Sequence, residues 1–217
     1  MVRERTHKLT TVAVLCAIAY IVMLVGRVPV VLFLKYDPKD VIITLGGFIF
    51  GPLAAFSISL VVSLVEMFTT SDTGIIGLVM NIISSCAFAC TASAIYKYKR
   101  TMAGAVAGLV AGVAAMTAAM LLWNYLITPL YMDVARADVA AILTTVFLPF
   151  NLLKSGINAT LTILIYKPVV NALRKSNLLP PSSAGAQKGK LNIGVMLVAL
   201  LLLASLILFL LSYRGII

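Results

Sequence analysis

Asn151, Lys154 and Asn158 stand at i, i+3 and i+7 in an otherwise apolar stretch, a spacing that puts two amides and an ammonium on one helix face. An ammonium inside such a stretch is costly without an acceptor. Lys154 therefore needs a protein carboxylate or carbonyl, with Glu66 a structural candidate, or an oxygen of a ligand. Trp123-Asn124-Tyr125 sets a further amide between two aromatics, and Asn81 adds one in another apolar run. Amides in these settings act either as hydrogen-bond glue between helices or as contacts to a bound molecule. Asn124, Asn151 and Lys154 together are read as a site; for Asn81 both roles stay open.

The elements that must position these groups follow from composition. The chain has 217 residues, of which 62% are hydrophobic and 11% charged, with a mean hydropathy of +1.09. Soluble domains run at about 45–50% apolar and about 25% charged, so both a soluble fold and a disordered chain are excluded in favour of an integral membrane protein. The net charge of +10 would suggest nucleic acid in a soluble protein, but here the basic residues gather in loops, and no nucleic-acid partner is inferred. Cys16, Cys86 and Cys90 lie in apolar runs without metal-ligand spacing to His7 and are read as small hydrophobes. Nucleotide-binding, zinc-protease and C-x-x-C motifs are absent, which argues against an enzyme and leaves no resident cofactor or metal.

A spanning helix needs about 20 mostly apolar residues. Leu9–Val25 is the first span, closed by Gly26-Arg27-Val28-Pro29, and a short apolar piece, 30–34, leads into Lys35-Tyr36-Asp37-Pro38-Lys39-Asp40 near an interface. Residues 41–50 and 53–67 form two helices meeting at Gly51-Pro52, and the first is too short to span unless its Asp40 end sinks into the protein. Residues 75–96, 102–131 and 139–173 hold the next three spans, the last beginning with a half-helix broken at Pro149. The architecture expected is thus all-α: a six-helix domain over 1–173, a polar linker over 174–190, and a seventh apolar helix within 191–217.

Placing the N-terminus in the cytoplasm puts eleven basic residues inside against five outside, and one of the seven acids inside against six outside. The positive-inside rule selects this orientation. Small residues mark faces where helices approach closely. Gly104, Gly108 and Gly112 read as internal packing, whereas Ala13 and Ala17 read equally well as a surface for an external partner.

Four pieces in order carry a resemblance: Leu34-Lys35-Tyr36-Asp37-Pro38-Lys39-Asp40-Val41, Gly47-Phe48-Ile49-Phe50-Gly51-Pro52-Leu53-Ala54, Trp123-Asn124-Tyr125, and Pro149-Phe150-Asn151-Leu152-Leu153-Lys154. The chain resembles the S components of energy-coupling factor vitamin transporters, and within them the riboflavin type. The resemblance implies a bacterial cell-membrane subunit that captures riboflavin from outside. It also implies docking, through Ala13 and Ala17, on a transmembrane coupling protein carrying two ATP-binding-cassette ATPases. Asn124, Asn151 and Lys154 then fall at ligand-contacting positions, with Lys35, Tyr36 and Asp37 near the mouth and Asn81 as a further candidate. Trp123, Tyr125, Phe147 and Phe150 are near enough in sequence to supply the aromatic walls that a flat, uncharged tricycle needs. Two features depart from the family pattern: Ser63-Leu64-Val65-Glu66 stands where riboflavin-type members often carry Lys-Asn, and the seventh helix is additional. The same fold with another vitamin or precursor, and a stand-alone ion-coupled carrier, are the competing readings.

Overall fold

The computed structural model describes residues 2–32, 34–176 and 193–213. The chain opens with α1 (Val2–Gly26), passes through a hairpin of β1 (Val28–Val31) and β2 (Leu34–Tyr36), and continues into α2 (Lys39–Phe50) and α3 (Pro52–Thr69). Helices α4 (Gly74–Tyr98), α5 (Met102–Met132), α6 (Arg136–Ile142) and α7 (Leu148–Lys175) follow, with α8 (Ile193–Tyr213) last. Five of these segments among the described residues are long and apolar enough to cross a membrane, with α6 and α7 counted as one segment. The short α2 and the appended α8 complete the six-plus-one plan of a multi-pass membrane bundle.

At 12 residues, α2 is about 18 Å long and cannot cross an apolar layer of about 30 Å. Burial of every residue from Lys39 to Phe48 explains how it survives, since α1, α3, α4 and α7 all pack around it. Leu15, Ile43, Leu45, Ile58, Phe88 and Leu109 form the centre of that core. The turn into α3 depends on Gly51, whose φ of +95° suits glycine and strains other residues, while Pro52 occupies the first helical position, where a missing N–H costs nothing.

Helices α4 and α5 make the most extensive pairing in the bundle. A β-carbon added to Gly108 or Gly112 would lie 2.6 Å from the Ala92 carbonyl oxygen or 2.7 Å from that of Phe88, so these glycines are the close-approach surface of α5. α8 packs on α7, with Leu206 seated over Gly156.

Two expectations are corrected. The closing turn at 28–29, the apolar piece 30–34 and the start of the interface segment at 35 are not irregular: Val28–Val31 and Leu34–Tyr36 form an antiparallel hairpin pairing Val28 with Tyr36 and Pro29 with Lys35. The break before the last span of the six is a π-helical stretch, Leu143–Phe147, directly ahead of Pro149, and the helical run continues through it into α7 instead of stopping at the proline. The apolar segment ends at Leu173, as expected, with two further helical residues to Lys175; most of the expected linker, 177–190, lies outside the described residues.

Candidate functional site

The hairpin end of the bundle holds an unusual density of buried charge. Asp37, Lys39, Asp40, Glu66 and Lys154 are all buried, Lys39 to 1% exposure. Burial is tolerated because each finds partners. Glu66, near the end of α3, accepts from Lys39 Nζ at 2.5 Å and from Arg27, which lies between α1 and β1. Lys154 Nζ on α7 lies 3.5 Å from Asp37 Oδ2 in the segment between β2 and α2. The carboxylate chosen by Lys154 is therefore Asp37, and the Glu66 partnership considered from sequence is not formed.

Asp40 meets neutral donors: Ser85 Oγ at 2.5 Å and Asn158 Nδ2 at 3.4 Å. Asn158 Oδ1 accepts in turn from the Tyr36 hydroxyl at 3.1 Å, so one chain of contacts joins β2, α7, α2 and α4. Nearer solvent, Lys35 Nζ donates to Asp72 Oδ2 at 2.6 Å and ties the hairpin to the α3–α4 connection.

These surroundings set the protonation of the loop groups. Burial pushes the Asp37 carboxyl up, but the charges of Lys154, Lys39 and Arg27 outweigh it and hold the group below its ordinary range. The hydrogen bond from Lys35, together with its charge, lowers Asp72. Burial, with the nearby Asp37 and Asp40 carboxylates, raises the Tyr36 phenol and keeps it a donor.

Above this network lies a cavity of about 190 Å³. Asn81, Asn124, Asn151 and Lys154 bring polar atoms to its wall, and Leu34, Ile76, Met80, Met120 and Phe150 bring apolar surface. The amides are held by their own helices: Asn124 Nδ2 donates to the Met120 carbonyl at 2.7 Å, and Asn151 Nδ2 to that of Phe147 at 2.7 Å. Such back-bonding fixes each amide side chain in one rotamer; Asn124 Oδ1 also accepts from Thr128 Oγ1 at 2.9 Å, and an amide oxygen with two lone pairs keeps one for a further donor. Three cation–carboxylate pairs line the same space, Arg27–Glu66, Lys35–Asp72 and Lys154–Asp37.

Of the residues singled out from sequence, Lys35, Asp37, Asn81, Asn124, Asn151 and Lys154 converge on the cavity. Tyr36, Trp123, Tyr125 and Phe147 do not line it. Neighbours on a helix point about 100° apart, so with Asn124 turned inward neither Trp123 nor Tyr125 can share its direction. Trp123 packs on the main core, and Tyr125 is exposed with the Arg136 guanidinium 5.6 Å above its ring. Phe147 is fully buried against Leu34, Val139 and Phe150, behind the wall. Tyr36 supports the floor through Asn158. The aromatic lining consists of Phe150 and Tyr131.

Arg27, Glu66 and Asp72 are the charged lining residues not included in the sequence-based site. Their one signal was position, since each is a charge at the hairpin-side end of a span. Among the described residues no cluster of His, Cys, Asp and Glu fits a metal ion.

A membrane-embedded helical bundle with a partly polar cavity at one end defines a class: a small-molecule-binding membrane protein. The family model for the substrate-specific component of ECF transporters matches residues 7–166, and the chain belongs to that family. It is thus a substrate-binding transport subunit and not an enzyme. The riboflavin transporter RibU of Staphylococcus aureus (strain TCH60) is 31% identical over 182 residues, covering 79% of this chain and 95% of the relative. A solved structure of the S component of a bacterial ECF transporter superposes with a TM-score of 0.65 at 28% identity, covering 78% of this chain and 99% of that one. The share left uncovered is in keeping with α8 as an addition to the common bundle.

Proposed function

We propose that this chain captures riboflavin from the extracellular side and delivers it together with a transmembrane coupling subunit and two ATP-binding-cassette ATPases. The observation that carries the reading is the cavity, where Asn81, Asn124, Asn151 and Lys154 face an apolar wall. A flat, uncharged tricycle with carbonyl, imide and hydroxyl groups calls for that mixture of surface and hydrogen-bonding atoms. Each lining cation already has a carboxylate partner, which favours an uncharged ligand over a phosphorylated one. The similarity to a protein named as a riboflavin transporter supports the same ligand.

Ligand sites of drug-sized molecules measure about 300–1,000 Å³, so riboflavin enters a space of about 190 Å³ by moving the exposed side chains at its mouth, Lys35 and Asp72. The coupling partner docks on α1, where Ala13 and Ala17 are exposed while Leu15 and Ala19 face the core. The distribution of basic residues supports a cytoplasmic N-terminus.

Titrating the purified chain with riboflavin and following quenching of flavin fluorescence tests the ligand. Saturable quenching with one equivalent is expected, and no quenching in a panel where another vitamin binds would replace riboflavin. In liposomes the chain alone should not concentrate riboflavin; uptake without partner subunits would favour a stand-alone carrier.

A further inference from the structure

Arg27 and Asp37 occupy the two feet of the hairpin. The register that pairs Val28 with Tyr36 places Arg27 opposite Asp37 at the next position outward. Opposed residues on antiparallel strands stand about 4.5–5.5 Å apart at their β-carbons, so a direct ion pair would be the ordinary outcome. None forms. Arg27 turns its terminal nitrogens to Glu66 and to Thr70 Oγ1, the latter at 3.4 Å, and Asp37 turns Oδ2 to Lys154.

Each is left with one buried polar atom lacking a hydrogen-bond partner, Arg27 Nε and Asp37 Oδ1. Both residues line the cavity, and Asp37 is only 3% exposed. An unsatisfied charged-group atom is expensive to keep buried, and here one donor and one acceptor of this kind stand on residues that the hairpin register sets opposite each other.

We propose that Arg27 and Asp37 form a paired donor–acceptor subsite that reads an uncharged ligand group carrying an oxygen acceptor beside an N–H or O–H donor. Arg27 Nε donates to the ligand oxygen, and Asp37 Oδ1 accepts from the neighbouring hydrogen. The inference rests on the riboflavin reading, in which the imide edge of the ring and the hydroxylated tail both have that pattern.

The test uses conservative variants of the full chain. Arg27→Lys keeps a cation for Glu66 but removes Nε, and Asp37→Glu keeps a carboxylate for Lys154 but displaces the free oxygen. Riboflavin, 3-methylriboflavin (imide N–H blocked) and lumiflavin (tail absent) are titrated against wild type and both variants, with thermal midpoints confirming that each protein is folded. Each variant should weaken riboflavin by about tenfold. It should weaken one analogue much less, so that the wild-type preference for riboflavin over that analogue collapses; the analogue identifies the group being read. Folded variants that keep wild-type affinity ratios for both analogues overturn the inference alone. A wild-type chain that binds none of the three overturns the riboflavin reading and the inference with it.

Discussion

The α4–α5 seam and the hairpin-end cavity are both buried, yet they are built on opposite terms. At the seam, Gly108 and Gly112 admit backbone oxygens of Ala92 and Phe88, and attraction comes from close contact alone. At the cavity, Asp37, Glu66 and Lys154 keep charge out of water beside a half-buried Arg27, and Arg27 Nε and Asp37 Oδ1 are left unpaired. An unsatisfied buried polar group costs about 1–3 kcal/mol, so the second region gives up stability that the first supplies. Ser59, Ser63, Thr117 and Trp123 also carry unpaired buried atoms, but they are neutral and none lines the cavity. Charge retained at such a cost beside open space marks where a ligand is to be met.

The contrast is broken most severely at the seam. Gly112→Leu drives a branched side chain into the Phe88 carbonyl, with no flexible neighbour to yield. Overpacking costs about 1–3 kcal/mol where backbones can shift and more where they cannot. The expected outcome is loss of the monodisperse peak in detergent gel filtration. Normal yield and riboflavin affinity would show that the seam is loose. The matching enlargement on α1, Ala17→Trp, places its ring on an exposed face and should leave affinity unchanged while abolishing uptake in liposomes containing the coupling subunit and ATPases. Equal loss of binding and uptake would move that face into the site.

Smaller effects separate recognition from support within the cavity. Lys154→Ala removes a charge-assisted contact worth roughly 1.5–3 kcal/mol, and riboflavin affinity should fall by about ten- to a hundredfold. The same change strands Asp37, so yield should fall as well, and neutralising Asp37 in Lys154→Ala/Asp37→Asn should restore yield without restoring affinity. Rescue by Glu66→Gln instead would contradict the pairing seen here. Wild-type affinity in a folded Lys154→Ala protein would remove Lys154 from the site.

The spans were legible in the sequence because a bilayer demands a minimum apolar length, and the sinking of Asp40 followed from α2 being too short. Asn124, Asn151 and Lys154 stood out because polar groups are rare in such helices. The hairpin escaped because its strands have four and three residues, one of them Pro29, and local pattern is weak at that length. Trp123 and Tyr125 were grouped with Asn124 by adjacency, although adjacent helical residues face apart. Arg27 read as a span terminator beside Gly26 and Pro29; only the hairpin's register brings it opposite Asp37. Pairings such as Lys154 with Asp37 depend on how separate elements meet, and residue types alone left Glu66 equally open.

The gentlest way to sharpen the comparison is acid, because the cavity depends on ionised carboxylates and the seam does not. Asp37 is held below the ordinary aspartate value of about 3.9 because three cations outweigh its burial. A carboxyl depressed in the folded state contributes stability that is fully present above the unfolded value and disappears as pH falls through the folded one. The thermal midpoint of the detergent-solubilised chain should therefore be insensitive to this group from about pH 8 to 5 and decline below about pH 4. Other carboxylates act on the same limb, so the informative quantity is the difference between wild type and Asp37→Asn. That difference should be constant above about pH 5 and shrink as the wild-type carboxyl takes up its proton. A difference that vanishes already near pH 6 would mean that burial, not the cations around it, governs Asp37, and its unpaired oxygen would then belong to a neutral acid that can donate as well as accept.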